Sequence, residues 1–414
     1  MRLSCKYDNL MSILADASFV VEDAMTKDDM RNIIFKLVKG EVNTGQIIAY
    51  NHTVIFKQFL SGEFFNITLE DSDEDVTLFQ IKSKELLGFL NTYKSLRRTV
   101  ADEVIFEFTP NGAIKCTVIE KDKVDEEDLL LGAEGGANNY VSQWVFRVMP
   151  IATKQLAQIN TVAPEGELTT ISSLNLLFHI KNLAPLLQVG NNSYSYMQFD
   201  SDYVFVVCPA YTVIMQNKVQ DGDVFKGISI IYRGVNFINK LCSTVDSVQI
   251  SKSQEYLYIK TEENEAYLRY DTKLSNYKAF LDAFNSKENG LAFDKLYFKD
   301  VLKRLSLEND AVEFGVDIEN NAIKLSNSKF NQELPVIKLK NMEMYANTKF
   351  KAMPDIFTKA LIGDDDNFED TIFAYYCQSN GIKTVIFSDA NGDWFSVIKV
   401  NMYEAIDKSS NASL

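Results

Sequence analysis

Apolar and polar residues alternate along much of the chain, in short runs that end at turn-forming residues. In "DEVIFEFTPNGAIKCTVIE" (102–120), two such runs flank a Pro-Asn-Gly turn, and in "DAVEFGVDIENNAIKLSNS" (310–328) two runs flank Glu-Asn-Asn. Residues 194–217, 248–271 and 373–400 each contain three runs. Alternation with a period of two and tight connections is typical of antiparallel β-strands, so the sequence predicts a strand-rich protein.

Helical patterns are short, and each one follows a predicted strand. The strand-then-helix pattern recurs six times, and runs of strands come after it. The six windows are 2–16, 82–98 (after the strand Thr77–Ile81), 175–189, 226–240, 295–304 and 349–359. Their spacing is irregular, which excludes a solenoid of short regular repeats.

The window "KLYFKDVLKR" (295–304) illustrates the pattern. Leu296–Phe298 is expected to form a strand, and the residues after it an amphipathic helix. At helical spacing one side of that helix is apolar, with Val301, Leu302 and Leu305. The other side is charged, with Lys299, Asp300, Lys303 and Arg304.

Two segments break the strand pattern and suggest domain boundaries. Residues 120–139 are acidic and then rich in Gly, Ala and Asn, and residues 275–290 form a second candidate linker. Residues 144–159 are predicted to close the first domain with a strand, followed by an extra helix or loop. We therefore predict an α+β protein of three domains, 1–140, 141–285 and 286–414, each with two strand–helix–strands halves.

Charge is distributed unevenly along the 414 residues. The whole chain has a formal net charge of -15, yet the six windows contain 18 basic and 5 acidic residues. The remaining residues contain 24 basic and 52 acidic residues. If the helices share one side of an assembly, that side attracts the phosphates of a polyanion such as duplex DNA, and the acidic remainder repels it. For any single helix, a solvated charged face explains the lysines equally well.

Several function classes are disfavoured by composition. The chain has two histidines, His52 and His179, no phosphate-binding loop and no dinucleotide-binding motif, so an enzyme is not indicated. The acidic run at 363–370 lacks the ligand spacing of a calcium loop, and no metal or other cofactor is predicted. The five cysteines form no CxxC pair and are expected to be reduced, buried thiols in a cytoplasmic protein. No signal peptide or membrane span is predicted.

Together these features resemble the DNA polymerase sliding clamps. The segments "LFQIKSKELLGFLNTYKSL…DEVIFEFTPNGAIKCTVI" and "LYFKDVLKRLSLENDAVEFGVDIENNAIKLSNS" carry the resemblance most clearly. It implies rings in which helices line the hole and sheets form a continuous outer layer. Three domains per chain resemble the bacterial beta type, which closes as a homodimer, and the divergent sequence with its acidic insertion is more similar to a viral or phage clamp.

The resemblance implies site residues and partners. The ring would encircle double-stranded DNA without base-specific contacts and tether a DNA polymerase, and short peptide motifs of the polymerase and the clamp loader would bind it. The implied DNA-binding residues are Lys82, Lys84, Arg97, Arg98, Lys181, Arg233, Lys240, Lys299, Lys303, Arg304, Lys351 and Lys359. Met402 and Tyr403, in the last predicted strand, are candidates for the partner pocket, and ordinary packing of these two residues is an equal alternative.

A different class of protein shares the strand richness. A viral structural or assembly protein built of antiparallel β-domains would also lack catalytic residues, and it would make no contact with DNA. The position of the basic residues separates the two hypotheses, since a clamp needs them on one side of the molecule.

Overall fold

The structure is a computed structural model of the chain. It describes residues 1–22, 30–69, 75–96, 99–109, 112–122, 139–164, 167–187, 196–207, 211–217, 219, 222–272, 291–308, 310–339, 348–361, 371–379, 382–389, 393–399 and 401–404.

The helices in the described residues number seven, and most are short. They are α1 (Tyr7–Val21), α2 (Ser83–Asn91), α3 (Thr153–Ile159), α4 (Ser173–Leu187), α5 (Tyr232–Cys242), α6 (Lys295–Leu305) and α7 (Pro354–Ala360). None of these helices has the length and apolar character needed to cross a membrane.

Strands make up most of the remaining described chain. Those before residue 200 are β1 (Arg2–Lys6), β2 (Asn32–Val38), β3 (Thr44–Tyr50), β4 (Val54–Leu60), β5 (Phe65–Thr68), β6 (Val76–Lys82), β7 (Thr99–Phe108), β8 (Ala113–Asp122), β9 (Asn139–Arg147), β10 (Thr169–Ser172) and β11 (Tyr196–Phe199). The next are β12 (Tyr203–Val207), β13 (Tyr211–Gln216), β14 (Ile228–Ile231), β15 (Ser247–Lys252), β16 (Tyr256–Lys260), β17 (Asn264–Arg269), β18 (Leu291–Asp294) and β19 (Val312–Asp317). The last are β20 (Ala322–Ser326), β21 (Asn331–Pro335), β22 (Lys338–Leu339), β23 (Thr348–Ala352), β24 (Thr371–Ser379), β25 (Ile382–Asp389), β26 (Trp394–Lys399) and β27 (Asn401–Glu404).

The predicted strand-then-helix junction is confirmed six times, with β1, β6, β10, β14, β18 and β23 each leading directly or nearly directly into a helix. Two boundaries were predicted wrongly. Leu296–Phe298 is the first turn of α6, and its strand is the earlier segment Leu291–Asp294. In the third window, residues 175–187 are helical, and the strand precedes them as β10.

Within each pair of consecutive strand–helix–strands halves, the first strands are exchanged. β1 pairs with β7 of the second half, and β6 pairs with β2 of the first half. The same exchange joins β18 to β24 and β23 to β19, and β14 pairs with β11. All of these pairs are antiparallel, as predicted. The exchange means that neither half of a pair completes its own sheet.

The described residues form two compact units. Unit 1 comprises Met1–Thr170 and Ser247–Tyr270, and unit 2 comprises Ile171–Asp246 and Asp271–Leu414. The predicted boundaries at 140 and 285 stay predictions, because residues 123–138 and 273–290 lie outside the described ranges.

Unit 1 contains two sheets. One has the order β5-β1-β7-β8-β9, and the other includes the order β15-β16-β17-β4-β3-β2-β6. Helices α1 and α2 pack together, and the Tyr7 hydroxyl donates a hydrogen bond to the Leu90 carbonyl at 2.8 Å. The two sheets also meet in the core, where the rings of Phe35 and Phe106 lie 5.6 Å apart.

Unit 2 likewise contains two sheets, in the orders β14-β11-β12-β13-β26-β25-β24-β18-β22 and β21-β20-β19-β23-β27. Helix α4 packs on α5, and α6 packs on α7. Phe293, Phe298, Phe357 and Phe387 join a strand, both helices of the second pair and a further strand, with ring centroids 5.1 to 6.3 Å apart. This aromatic cluster fixes α6 and α7 against their sheet.

Candidate nucleic-acid interface

Helix α6 carries the clearest basic face, and its start is fixed by a side-chain cap. The Asp294 carboxylate accepts a hydrogen bond from the Tyr297 backbone N–H at 2.6 Å. Val301, Leu302 and Leu305 are fully buried, as the sequence predicts. Lys303 and Arg304 are consequently held on the exposed side.

The exposed basic residues of α6 make local contacts. Lys303 Nζ lies 3.6 Å from the Asp300 carboxylate, and the Arg304 guanidinium carbon lies 5.9 Å from the centre of the Tyr297 ring. Such exposed pairs contribute little to stability, so both side chains can exchange these contacts for a phosphate. Lys299 is much less accessible than these two, because only 8% of its surface is exposed, and its role in DNA binding stays a prediction.

Helix α2 supplies exposed lysines in unit 1. Lys82 occupies the N-cap position of the helix and Lys84 its first turn, and both side chains are exposed. Lys82 Nζ lies 3.6 Å from the Glu85 carboxylate. Helix α1, its neighbour, has no basic residue and exposes Asp8, so the helices of unit 1 are not uniformly basic.

The helix pair α4–α5 carries three predicted site residues. Lys181 is exposed near the middle of α4. Arg233 and Lys240, at opposite ends of α5, are half-buried. The pair thus carries positive charge, although its basic side chains are on the whole less exposed than Lys303 and Arg304 of α6.

Lys351 lies on a strand rather than on a helix. It belongs to β23, where its neighbour Phe350 is buried and contacts Phe357 of α7, with ring centroids 6.0 Å apart. Since side chains alternate between the two faces of a strand, Lys351 lies on the face opposite to α7, 3.9 Å from the Glu313 carboxylate. Lys351 therefore does not share a face with α7, and its role in DNA binding stays a prediction.

Several predicted site residues fall outside what is described. Arg97 and Arg98 lie outside the described ranges, and only the backbone of Lys359, in α7, is described. Met402 and Tyr403 lie on β27, where they pair with Phe350 and Lys349 of β23. Their side chains are not described, and the predicted acidic cluster at 363–370 is also outside the described residues.

Two sheets end in strands that have a partner on one side only among the described residues. β9 is an edge strand of unit 1, and Trp144 and Val145 expose 54% and 60% of their surface on it. The corresponding edge strand of unit 2 is β21, which exposes Glu333. Unpaired edges with exposed apolar residues are sites for pairing with another chain.

The thiols in the described residues give no reactive site. Cys5, Cys116 and Cys242 are unbridged and buried, which confirms the prediction for these three. Burial raises the pKa of the Cys5 and Cys242 thiols to about 12, so neither is a nucleophile near neutral pH. No group of three His, Cys, Asp or Glu side chains that could hold a metal occurs among the described residues.

Solved structures with this architecture were found by structural comparison. A DNA polymerase sliding clamp from Caulobacter crescentus superposes with a TM-score of 0.68 at 12% identity, over 97% of this chain and 99% of the other. The chain has the fold of the DNA polymerase sliding clamps.

Two further clamp structures agree with this assignment. The beta subunit of the DNA polymerase of Streptococcus pyogenes matches with a TM-score of 0.66 at 8% identity, over 97% of this chain and the whole of the other. The Helicobacter pylori beta clamp bound to a DNA ligase peptide matches with a TM-score of 0.61 at 14% identity, with the same coverage. No protein-family model and no curated protein sequence matches the chain. The predicted clamp fold is thereby confirmed, and the predicted α+β class with it.

Proposed function

We propose that this protein is a DNA sliding clamp, a ring that encircles duplex DNA and tethers a replicative DNA polymerase. The single observation that supports this best is the agreement of fold with sliding clamps over 97% of the chain. The repeated strand–helix units also support it, because they account for nearly every described element. The alternative, a viral structural or assembly protein of antiparallel β-domains without DNA contact, has no comparable support.

In the proposed ring the helices face the DNA. Lys303 and Arg304 of α6, Lys82 and Lys84 at α2, and Lys181 of α4 would contact phosphates. Contacts of this kind bind DNA of any sequence and allow the ring to slide, since bases are not read. Arg233 and Lys240 would add weaker contacts, and Arg97, Arg98 and Lys359 stay candidates from the sequence.

Three domains per chain, with boundaries near 140 and 285, would each contribute one of the helix pairs α1–α2, α4–α5 and α6–α7. Two copies would close a ring of six such domains. Closure would pair β9 of one copy with β21 of the other, covering Trp144 and Val145. Exposed Arg147 at the end of β9 and Glu333 on β21 give these edges complementary charges.

The proposed partners are a DNA polymerase and a clamp loader, which would bind through short peptides. The H. pylori clamp that matches this chain is bound to a DNA ligase peptide, and this supports peptide binding as a mode for the present protein. Met402 and Tyr403 on β27 are the proposed contacts. In this role the protein is a non-enzymatic factor that works beside the polymerase in the cytoplasm or in a viral replication compartment.

Imaging of the purified protein by negative stain tests the proposal. Rings with a central hole wide enough for duplex DNA are expected. A second measurement uses a nicked circular plasmid to which the protein has been bound: cutting the circle once should release the protein, because a ring slides off a free end. Filaments or compact monomers in the images, together with equal retention on cut and uncut DNA, would contradict it.

A further inference from the structure

The segment that follows β9 crosses one face of the larger sheet of unit 1. At its start, the Met149 N–H donates a hydrogen bond to the Gln80 carbonyl at 3.3 Å, and the Gln80 side-chain amide donates one to the Pro150 carbonyl at 2.6 Å. At its end, the buried ammonium of Lys57 donates a hydrogen bond to the Thr161 carbonyl. Helix α3 lies between these two attachments and is held against the sheet.

The far half of α3 packs on an apolar cluster. Ile159 is fully buried there with Ile34, Ile48 and Ile55, and Leu156 packs against them. Phe35, next to Ile34 along β2, lies on the opposite face, where it contacts Phe106. Helix α3 therefore covers the face that the core of unit 1 does not use.

The near half of α3 leaves that face partly uncovered. A cavity of about 570 Å³ opens between the start of the helix and the strands beneath it. This volume is within the range of pockets that hold small ligands or single anchoring side chains of a partner. Its walls combine the apolar or aromatic residues Met30, Tyr50, Ile55, Met149 and Tyr256 with neutral polar residues such as Gln155 and Gln158.

The charged residues at this cavity have one sign. Exposed Lys154 and Arg269 both line it, exposed His52 stands at the turn between β3 and β4, and none of the described residues that line it is Asp or Glu. The Arg269 guanidinium carbon lies 5.9 Å from the centre of the Tyr256 ring, which keeps the cation at the mouth. The described mouth of the pocket is therefore basic in a chain with a net charge of -15.

A buried acceptor adds to this chemistry. Gln80 lines the cavity and is only 2% exposed, and its side-chain oxygen has no hydrogen-bond donor among the described residues. Buried acceptors are nearly always satisfied by some partner. A ligand that brings an N–H group deep into this pocket would supply one after a small rearrangement.

We propose that this cavity, which we call the α3 pocket, binds an extended acidic peptide of a partner protein. One apolar or aromatic side chain of the peptide enters between Tyr50, Ile55 and Met149, and flanking carboxylates contact Lys154 and Arg269. A peptide fits better than a nucleic acid, because a nucleic-acid strand needs a track of cations along its phosphates. The described lining of the α3 pocket includes no residue of β27, and binding there needs neither ring closure nor DNA, so this proposal can be tested independently of the proposed clamp function.

Panning of a phage-displayed library of random seven-residue peptides on the full-length protein tests this inference. Enriched peptides should combine acidic residues with a large apolar or aromatic residue. Measured by fluorescence anisotropy, their affinity should fall at least about ten-fold in Lys154→Glu and in Arg269→Glu. Lys39→Glu, an exposed lysine of unit 1 outside the pocket, makes the same charge change and should leave the affinity unchanged.

A second variant, Ala152→Trp, places a bulky side chain at the exposed rim of the pocket and should weaken binding without any change of charge. Circular dichroism establishes that each variant is folded. A panning that enriches nothing, peptides that bind all variants equally, or basic consensus peptides would each overturn the proposal. The proposal would also be overturned if Lys154→Glu weakened the binding of a labelled single-stranded oligonucleotide but not the binding of the peptides. That result would make the pocket a nucleic-acid site.

Discussion

The Asp294 carboxylate holds the Tyr297 N–H at 2.6 Å and so defines where α6 begins. Loss of an N-cap lowers the stability of a helix by about 1 kcal/mol. If the helix opens separately from the rest of the protein, its open state is then populated roughly five-fold more. Asp294→Ala should therefore accelerate amide exchange in residues 295–305 by about that factor. Asp300→Ala, an exposed residue of the same helix, is the control and should change exchange much less.

Neutralising the exposed face of α6 should weaken binding to DNA. Lys303→Gln with Arg304→Gln removes two proposed phosphate contacts, so the slope of log affinity against log salt should decrease by about 2. Titration of a labelled duplex at several salt concentrations measures the slope.

The matched control is Lys349→Gln with Lys351→Gln. These residues lie in the same unit, where both contact Glu313 on the sheet face opposite to α7. The double change alters net charge equally. If both double variants lower the slope to the same extent, α6 has no special place in DNA binding.

Edge pairing predicts that charge on β9 blocks self-association. Trp144→Lys with Val145→Lys would place one cation on each face of the sheet at the junction of β9 with β21, where lysines disfavour edge pairing. Sedimentation velocity should then show a monomer where the unaltered protein forms a dimer. Val42→Lys changes an even more exposed valine in the turn before β3 and should leave the dimer intact. A dimer that survives the double change would place closure at another surface.

Lys57 gives a prediction for alkaline pH. Burial lowers the pKa of its ammonium to about 8 from an ordinary value of 10.5, with the Glu265 carboxylate opposing the shift. Below pH 8 both folded and unfolded chains hold the proton. Between pH 8 and 10.5 the unfolded chain binds more protons than the folded one, so this residue makes unfolding less favourable as pH rises.

Lys57→Met should lack that contribution. The difference in thermal midpoint between the two proteins should move in favour of the unaltered protein as pH rises from 8 to 10.5. Lys39→Met, which removes an exposed lysine of the same unit, controls for net charge. A difference that stays constant across this range would mean that Lys57 retains its proton in the folded chain.

The sequence predicts the strands of this fold well because alternation is a local property. It fails at the start of α6, where the three apolar residues Leu296–Phe298 read as a strand although the cap, Asp294, precedes them by two residues. It also groups Lys351 with the helical lysines, although the alternation of Lys349, Phe350 and Lys351 contains the information that the lysines share the outer face.

Other features depend on contacts that no local pattern encodes. The burial of Lys299 follows from how α6 is packed in unit 2, and the α3 pocket exists because Gln80 and Lys57 fix a segment that lies far from them in sequence. Long-range pairing also decides which strands lie at the edge of a sheet. The exposure of Trp144 and Val145 on an edge strand therefore could not be predicted from the sequence.

The ladder between β4 and β17 has a consequence for synthesis. Val54 pairs with Leu268, so β4 lacks this neighbour until the ribosome has made more than two hundred further residues. At typical rates of elongation this delay is on the order of ten seconds or more. Non-local pairing of this kind slows folding. In unit 2, β13 likewise pairs with a strand that is synthesised much later, β26. The nascent chain therefore passes through states with open β-edges, and its yield in the cell should depend on chaperones that cover them.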